Sequence, residues 1–257
     1  MIGIFDSGVG GLTVLHAIRQ NLPSADVIYF GDTKNAPYGE KSREKLSDLT
    51  VACIRLLQER GANNIVSACN SVSASLAISL LDAFDLQPQQ LIEMVGPTVS
   101  SFRNADMRIA LCATPATVNS EIYQNAFRMI GRDIQAIPVP GLAGAIEVGK
   151  STDVIDEIIR QALRDVDLNS FDMLILACTH YPFVEGSFRR ILGEKIEIFD
   201  PALAVAARVE KQFWPREVGE GTTRFILSAE SEQFRQLLKN FFPDTSYSIE
   251  VLPTVVK

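Results

Sequence analysis

The chain has 257 residues, which is enough for one large domain or two small ones with sizeable cores. Its hydrophobic content of 47% and charged content of 21% are ordinary for a globular protein and exclude disorder as a description of the whole chain. The 31 acidic residues outnumber the 24 basic ones, and the resulting net charge of −7 argues against a protein that binds nucleic acid by counterion release.

Strand-forming apolar runs alternate with helix-forming segments in the first part of the chain. Strands are predicted at 2–5, 27–30, 65–68 and 91–95. Apolar residues at helical spacing predict a helix at 12–22, which Pro23 ends, and another at 42–60, with Gly61 as its C-cap. A third helix is marked by Leu76, Leu80, Leu81 and Phe84.

The same alternation continues in the second part of the chain. Strands are predicted at 108–113, 134–139, 173–177 and 196–199. Helices are predicted at 115–130, 141–149, 152–165 and 201–213. A last strand–helix–strand unit covers about 224–252. Strands that alternate with helices indicate βαβ units and parallel sheets.

A loose internal repeat indicates two similar halves. An apolar strand followed by a small polar turn places Asp6 and Cys69 63 positions apart, and Thr114 and Cys178 64 positions apart. We therefore expect an α/β fold with two doubly wound parallel-sheet domains related by pseudo-two-fold symmetry. Residues 1–95 with 207–257 form the first domain and residues 96–206 the second. Ligands of open α/β sheets bind at the carboxyl ends of the strands, so we expect the site in the cleft between the domains.

The turn Asp6-Ser7-Gly8-Val9-Gly10-Gly11 follows the first strand and opens a helix. Its glycines let the backbone approach an anion, and a helix N-terminus supplies amide donors. It lacks the third glycine of the dinucleotide motif and a Walker lysine, which favours a small carboxylate over a nucleotide. Asp6 beside an anion site indicates a group that manages protons or binds an ammonium. An ordinary helix cap is the simpler alternative.

Four cysteines are too few and too scattered for a disulfide framework. Cys69 and Cys178 each end an apolar strand and precede a helix start, where a thiolate is stabilised, and their equivalent places favour reactive thiols over buried hydrophobes. Cys53 lies on the apolar face of a helix and Cys112 within a strand, so we interpret both as packing residues. No leader and no apolar run of membrane-spanning length are visible, which predicts a cytoplasmic protein with reduced cysteines.

His180 lies two residues beyond Cys178, where it could share a proton with that thiol. His16 falls in the middle of a helix and is interpreted as a surface or partly buried side chain. A metal site made of Asp6, both strand-end cysteines and His180 is disfavoured, because Cys-x-His is not a structural-zinc spacing and the chain has no Cys-x-x-Cys.

Two further polar segments follow strands. The loop of residues 32–39, which contains Asp32 and Pro37-Tyr38-Gly39, is expected to lie over the same strand ends. Thr114, Thr117 and Ser120 recur at a spacing of three. They are either helix N-caps only or hydroxyls that bind a carboxylate, and the sequence leaves both open.

Four blocks together resemble the signature of the glutamate racemase family, in the cofactor-independent aspartate/glutamate racemase superfamily. They span residues 5–180 in the order of the family and are 5–11, Pro37-Tyr38-Gly39, Ala68-Cys69-Asn70-Ser71 and Cys178-Thr179-His180. The resemblance implies that two cysteines interconvert L- and D-glutamate without cofactor or metal. Cys69 would abstract the α-proton from D-glutamate and Cys178 from L-glutamate.

The resemblance also implies roles for other residues. Asp6 and His180 would assist the two thiols, and Asp32 and Glu147 would be supporting acidic residues. The positions implied to contact substrate, with the two hydroxyls considered above, are Asp6, Ser7, Tyr38, Gly39, Asn70, Ser71, Thr114, Thr117, Thr179 and His180. The product would supply peptidoglycan synthesis, and the partners would be a small-molecule substrate and a second copy in a homodimer, with no nucleic acid or membrane.

This sequence departs from the family pattern at a few positions. Ser71 stands where threonine is usual, Val72 replaces a small residue, and Ala113 stands where glycine is common. None of these changes removes an acid, a base or a binding hydroxyl. Three alternatives stay open: an aspartate or other amino-acid racemase, a single-cysteine decarboxylase or hydrolase, and a non-catalytic binding module.

Overall fold

The computed structural model describes residues 1–73, 84–215, 217–243 and 246–253. Within these ranges the first sheet has six parallel strands in the order β10-β9-β2-β1-β3-β4. Its strands are β1 (Ile2–Asp6), β2 (Val27–Gly31), β3 (Asn64–Ser67), β4 (Leu91–Ile92), β9 (Thr223–Leu227) and β10 (Tyr247–Val251). The C-terminal unit thus returns to the first sheet, as the sequence predicted.

The second sheet of the described chain has four parallel strands in the order β6-β5-β7-β8. Its strands are β5 (Ile109–Ala113), β6 (Gln135–Pro138), β7 (Met173–Ala177) and β8 (Glu197–Phe199). The order β2-β1-β3-β4 in the first sheet repeats here with the next four strands. Two parallel-sheet domains of α/β class confirm the predicted fold class.

Helices cover both faces of each sheet, which is why the strands are apolar on both sides. The helices within the described ranges are α1 (Leu12–Asn21), α2 (Arg43–Glu59), α3 (Asn70–Ser73), α4 (Val95–Ser100), α5 (Pro115–Asn119), α6 (Ile122–Met129), α7 (Leu142–Glu147), α8 (Thr152–Leu163), α9 (Glu185–Leu192), α10 (Pro201–Phe213) and α11 (Glu232–Phe241). Short 3₁₀ turns occupy Pro88–Gln90 and Tyr181–Val184. Four buried apolar clusters fill the four helix–sheet layers.

Successive residues of one strand pack into the helix layers on opposite faces of the sheet. Ile4 joins α1 and α10 in one cluster, whereas its neighbour Phe5 joins the apolar face of α2 in another. Because side chains alternate across a strand, one apolar strand serves two helical layers. The predicted domain boundary at 206/207 falls inside α10, whose apolar residues pack in the cluster of the first sheet. The boundaries themselves stay a prediction.

Two predicted elements were wrong in extent. The helix predicted at 115–130 is two helices, because Glu121 takes a left-handed conformation (φ 54°) that interrupts the helical ladder. The strand predicted at 91–95 stops at Ile92, and α4 already begins at Val95 with Pro97 in its first turn. The helix marked by Leu76, Leu80 and Leu81 lies outside the described residues, and Phe84 lies in a turn. None of the helices in the described ranges is long and apolar enough to cross a membrane.

Candidate active site

The carboxyl ends of the central strands of both sheets meet at one small cavity, whose volume is about 240 Å³ when the space open to solvent is included. Asp6 and Thr114 end β1 and β5 or follow them directly, and Cys69 and Cys178 come just after β3 and β7. Because the strand order repeats in the two sheets, these four polar residues lie at the same cleft. The cavity is lined by Ser7, Pro37, Tyr38, Gly39, Cys69, Asn70, Ser71, Thr114, Ala143, Cys178, Thr179 and His180.

Four predicted site residues, Asp6, Asp32, Thr117 and Glu147, are absent from this lining. Each is hydrogen-bonded to a residue that does line the cavity: Thr179, Tyr38, Thr114 and His180 respectively. The predicted set thus divides into a lining and a layer that supports it. Pro37 and Ala143 line the cavity although sequence reasoning assigned them no role.

The glycine turn after β1 contacts the second domain directly. The Asp6 carboxylate accepts hydrogen bonds from the Gly8 amide (2.9 Å) and from the Thr179 hydroxyl (3.2 Å). A Cβ on Gly8 would lie 2.6 Å from Cδ of Glu147, and one on Gly10 would lie 2.5 Å from Nδ1 of His180. The glycines here serve close packing of the two domains around the site.

Cys178 faces an imidazole–carboxylate pair. Its Sγ lies 3.8 Å from Nδ1 of His180, whose Nε2 lies 2.5 Å from Oε2 of Glu147. The same Glu147 oxygen accepts the backbone amide of Val9 at 3.2 Å, so the first domain fixes a carboxylate that belongs to the second.

The charges around His180 favour its protonated form. Burial alone would lower the pKa of His180, but hydrogen bonds to Cys178 and Glu147, with the negative charges of both groups, raise it well above its usual value. A protonated imidazole at neutral pH can donate a hydrogen bond to a thiolate at Cys178.

Cys69 has a different environment. Burial raises the pKa of its thiol, and the neighbouring Asp6 carboxylate and Cys178 raise it further, while the Ser71 amide and the Ser7 hydroxyl act in the opposite direction. Burial likewise raises the pKa of Asp6, partly offset by the charge of His180 and by backbone amides. The Cys69 side of the cavity therefore favours a protonated thiol.

Replacing Asp6 by asparagine is expected to lower the pKa of Cys69, because it removes a negative charge but keeps an oxygen that accepts hydrogen bonds. The pH midpoint for alkylation of Cys69 by iodoacetamide should fall by about one unit, the scale of a single nearby charge. Peptide mass spectrometry resolves each cysteine. Cys112 is the internal control, because burial alone raises its pKa, to about 12. An unchanged or higher midpoint for Cys69 would contradict this electrostatic account.

Of the three hydroxyls whose role the sequence left open, only Thr114 lines the cavity, and its binding of a carboxylate stays a prediction. Thr114 lines the cavity and also caps α5, where its Oγ1 accepts the Thr117 amide. Its hydroxyl lies 3.0 Å from that of Ser71 and 3.1 Å from that of Thr117. Ser120 donates to the Thr117 carbonyl and accepts the Ile122 amide, which makes it a local turn residue.

The loop after β2 lies over the strand ends, as expected. Tyr38 donates its hydroxyl to Asp32 (2.6 Å), and the Asn35 amide donates to both oxygens of the same carboxylate. Gly39 lies against Thr114, and its carbonyl accepts the Ala116 amide at 2.9 Å. The loop thus closes the cavity from the first domain and bonds to the second.

The remaining cysteines and histidine are not part of the lining. Cys112 is buried in the apolar core of the second sheet. Cys53 is buried in the layer between α2 and the first sheet, with its Sγ 3.8 Å from the Tyr38 hydroxyl. His16 packs edge-on against Phe241 and Phe242. In the described part of the chain no group of three or more histidine, cysteine or acidic side chains is arranged to hold a metal ion.

Comparison with known proteins agrees with this architecture. The family model Asp/Glu/Hydantoin racemase matches residues 11–209. A glutamate racemase from Desulforudis audaxviator (strain MP104C) is 37% identical over 254 residues, which are 93% of each chain. The crystal structure of glutamate racemase isoform RacE1 from Bacillus anthracis superposes with a TM-score of 0.87 at 26% identity, covering 100% of this chain and 98% of that one.

A second solved structure adds a ligand. Glutamate racemase from Francisella tularensis subsp. tularensis SCHU S4 was crystallised in complex with D-glutamate, and it superposes with a TM-score of 0.85 at 26% identity over 100% of this chain and 98% of that one. The match of the family model over most of the chain and the identity to curated relatives confirm the resemblance to glutamate racemases. The chain belongs to the Asp/Glu/Hydantoin racemase family and is an amino-acid racemase.

Proposed function

We propose that the protein interconverts L- and D-glutamate by proton transfer between Cys69 and Cys178. The observation that carries the proposal is that the two thiols, which follow equivalent strands of the two sheets, line one cavity. Inverting a stereocentre by proton exchange requires a base on one face of the carbon and an acid on the other. The relatives named glutamate racemase, and the one bound to D-glutamate, support glutamate as the substrate.

The proposed chemistry starts with one cysteine as thiolate and the other as thiol. The thiolate takes the α-proton, and the thiol on the opposite face delivers its own proton to the carbanion-like carbon. In the reverse direction the cysteine that began as thiol begins as thiolate, and the other begins as thiol. His180 with Glu147 would assist the change of Cys178 between thiol and thiolate, and Asp6 would do the same for Cys69.

The lining supplies donors for a dicarboxylate. The Asn70 amide and the hydroxyls of Ser71 and Thr114 lie on the Cys69 side of the cavity, and Ser7 and Thr179 add further hydroxyls. An α-proton is a poor acid, so negative charge that spreads onto the α-carboxylate in the transition state needs such donors. They are most effective in a small enclosed site from which water is excluded.

Proton exchange in D₂O tests this proposal. The purified protein is incubated separately with each enantiomer of glutamate and of aspartate, and α-proton loss and optical rotation are followed together. With two monoprotic thiols, the newly formed enantiomer carries deuterium while the remaining starting enantiomer keeps its proton at early times. Equal early exchange in both enantiomers would indicate one base. Exchange with aspartate alone would overturn glutamate as substrate.

We further propose that the D-glutamate produced supplies peptidoglycan synthesis. This role is what the resemblance to the glutamate racemase family implies, and the test is rescue of a bacterium that requires external D-glutamate by expression of this chain. Failure of rescue despite activity in the purified protein would contradict the role in the cell. The homodimer stays a prediction, which sedimentation velocity tests directly.

A further inference from the structure

One buried amide in the catalytic cavity has an incomplete set of hydrogen bonds. Asn70 directly follows Cys69, lines the cavity and is 3% exposed. Its Oδ1 accepts a hydrogen bond, but its buried Nδ2 has no partner within the described structure. Buried polar groups are nearly always hydrogen-bonded, so an orphaned donor in a cavity indicates that a ligand completes it.

The hydrogen-bond donor to the Asn70 amide oxygen comes from the other domain. Tyr123, on α6, places its hydroxyl 2.6 Å from Oδ1 of Asn70. An amide oxygen can only accept, so the tyrosine donates its single proton. The Tyr123 ring is fully buried beside Phe127 and Ile175, which holds the hydroxyl in place. The bond therefore fixes which end of the amide faces away from the cavity.

From this geometry we propose that Tyr123 is a positioning residue that orients the Asn70 amide so that its NH₂ group donates to a substrate carboxylate. The proposal rests on the proposed function, since it requires that Asn70 contacts an anionic amino acid. Without the Tyr123 hydroxyl the amide can turn over about its terminal torsion, which has two nearly equivalent states. The turned amide presents an oxygen to the carboxylate and repels it.

The same bond joins the two domains. Asn70 follows β3 of the first sheet, and Tyr123 packs against β5 and β7 of the second. The hydroxyl pair Ser71–Thr114, at 3.0 Å, crosses the cleft beside it.

Tyr123→Phe keeps the buried ring and removes only the hydroxyl. We expect KM for both glutamate enantiomers to rise about tenfold with kcat reduced less than about threefold, because most of the lost interaction is already made with the carboxylate of the bound substrate. The pH profile should be unchanged, because the thiols and His180 are untouched. Tyr247→Phe, on the edge strand β10, is the matched control and should leave KM unchanged.

A double-mutant cycle separates positioning from a structural role. In the Asn70→Ala background, Tyr123→Phe should have no further effect on KM, because there is no amide left to orient. A KM increase of the same size in both backgrounds would overturn the proposal, and so would a Tyr123→Phe enzyme with the KM of the wild type. Thermal unfolding of each variant identifies any loss of fold.

A second variant leaves Tyr123 in place. In Asn70→Asp the carboxylate can still accept the Tyr123 proton, but its other oxygen replaces the NH₂ group. KM should then rise about a hundredfold or more, since a neutral donor that bonds to the carboxylate is replaced by a negative charge that repels it. A KM within threefold of the wild type would overturn the assigned orientation. Turnover of glutamate by the wild-type protein is measured first, so failure of the proposed function is seen separately.

Discussion

Replacing either Cys69 or Cys178 by serine is expected to abolish racemisation in both directions. A serine hydroxyl is a far weaker acid than a thiol and cannot serve as the base, and general acid–base catalysis contributes about 10²–10⁴ in rate. We expect kcat/KM to fall by at least about 10³ in each variant. Because the two enantiomers have equal free energy, kcat/KM must fall equally from L- and from D-glutamate, which gives the assay an internal check.

The two variants should differ in hydrogen exchange. Cys69→Ser keeps Cys178, the thiol assigned to L-glutamate, and is expected to exchange the α-proton of L-glutamate slowly without inversion. Cys178→Ser should do the same with D-glutamate. Cys112→Ala is the control, because this thiol is buried in the core of the second sheet and does not itself line the cavity. A Cys69→Ser protein with nearly intact turnover would instead indicate a single-cysteine enzyme.

The pairing of the two cysteines was predictable because it follows from topology. The repeat of strand, polar turn and helix in the sequence corresponds to the repeated strand order of the two sheets. Parallel strands present their carboxyl ends at one edge, so residues that follow β3 and β7 had to lie in equivalent places. Local apolar patterns sufficed for the central strands β1, β2, β5 and β7, since each of these is buried along its whole length.

Contacts between side chains far apart in the sequence could not be predicted from local apolar patterns or from the repeat. Tyr123 sits among apolar residues at helical spacing and looks like an ordinary core residue, and only the fold shows its hydroxyl at Asn70. The Val9 amide that fixes Glu147 lies 138 positions away from it. The break at Glu121 was also invisible, because a single left-handed residue between two helical segments leaves the apolar periodicity almost intact.

The environments of the two thiols are not equivalent although their strands are. Cys178 faces an imidazole whose pKa is raised, backed by a carboxylate, whereas Cys69 faces a buried carboxyl group and has a raised pKa itself. The side of the cavity at Cys178 thus favours a positively charged imidazole, and the side at Cys69 favours a neutral thiol. This matches a resting state in which Cys69 holds a proton for delivery, and it places the pH sensitivity of the enzyme on His180.

Replacing Glu147 by glutamine is therefore expected to narrow the active pH range from its alkaline side. The variant keeps the shape of the side chain but removes a charge and a hydrogen bond that raise the pKa of His180. His180 then loses its proton at a lower pH, and the alkaline limb of kcat/KM moves to lower pH. The loss should be about tenfold to a hundredfold at pH 8, and smaller at pH 6, where the imidazole of the variant is still largely protonated.

The direction in which the alkaline limb of kcat/KM moves tests whether Glu147 acts by raising the pKa of His180. A shift of the alkaline limb to higher pH, or an equal loss at every pH, would show that Glu147 acts on catalysis other than through the proton of His180. Asp172→Asn is the matched control: it removes the same charge from an exposed carboxylate paired with Arg108 at the opposite end of β7. Its pH profile should coincide with that of the wild type, because neither Asp172 nor Arg108 borders the cavity in which the two thiols meet.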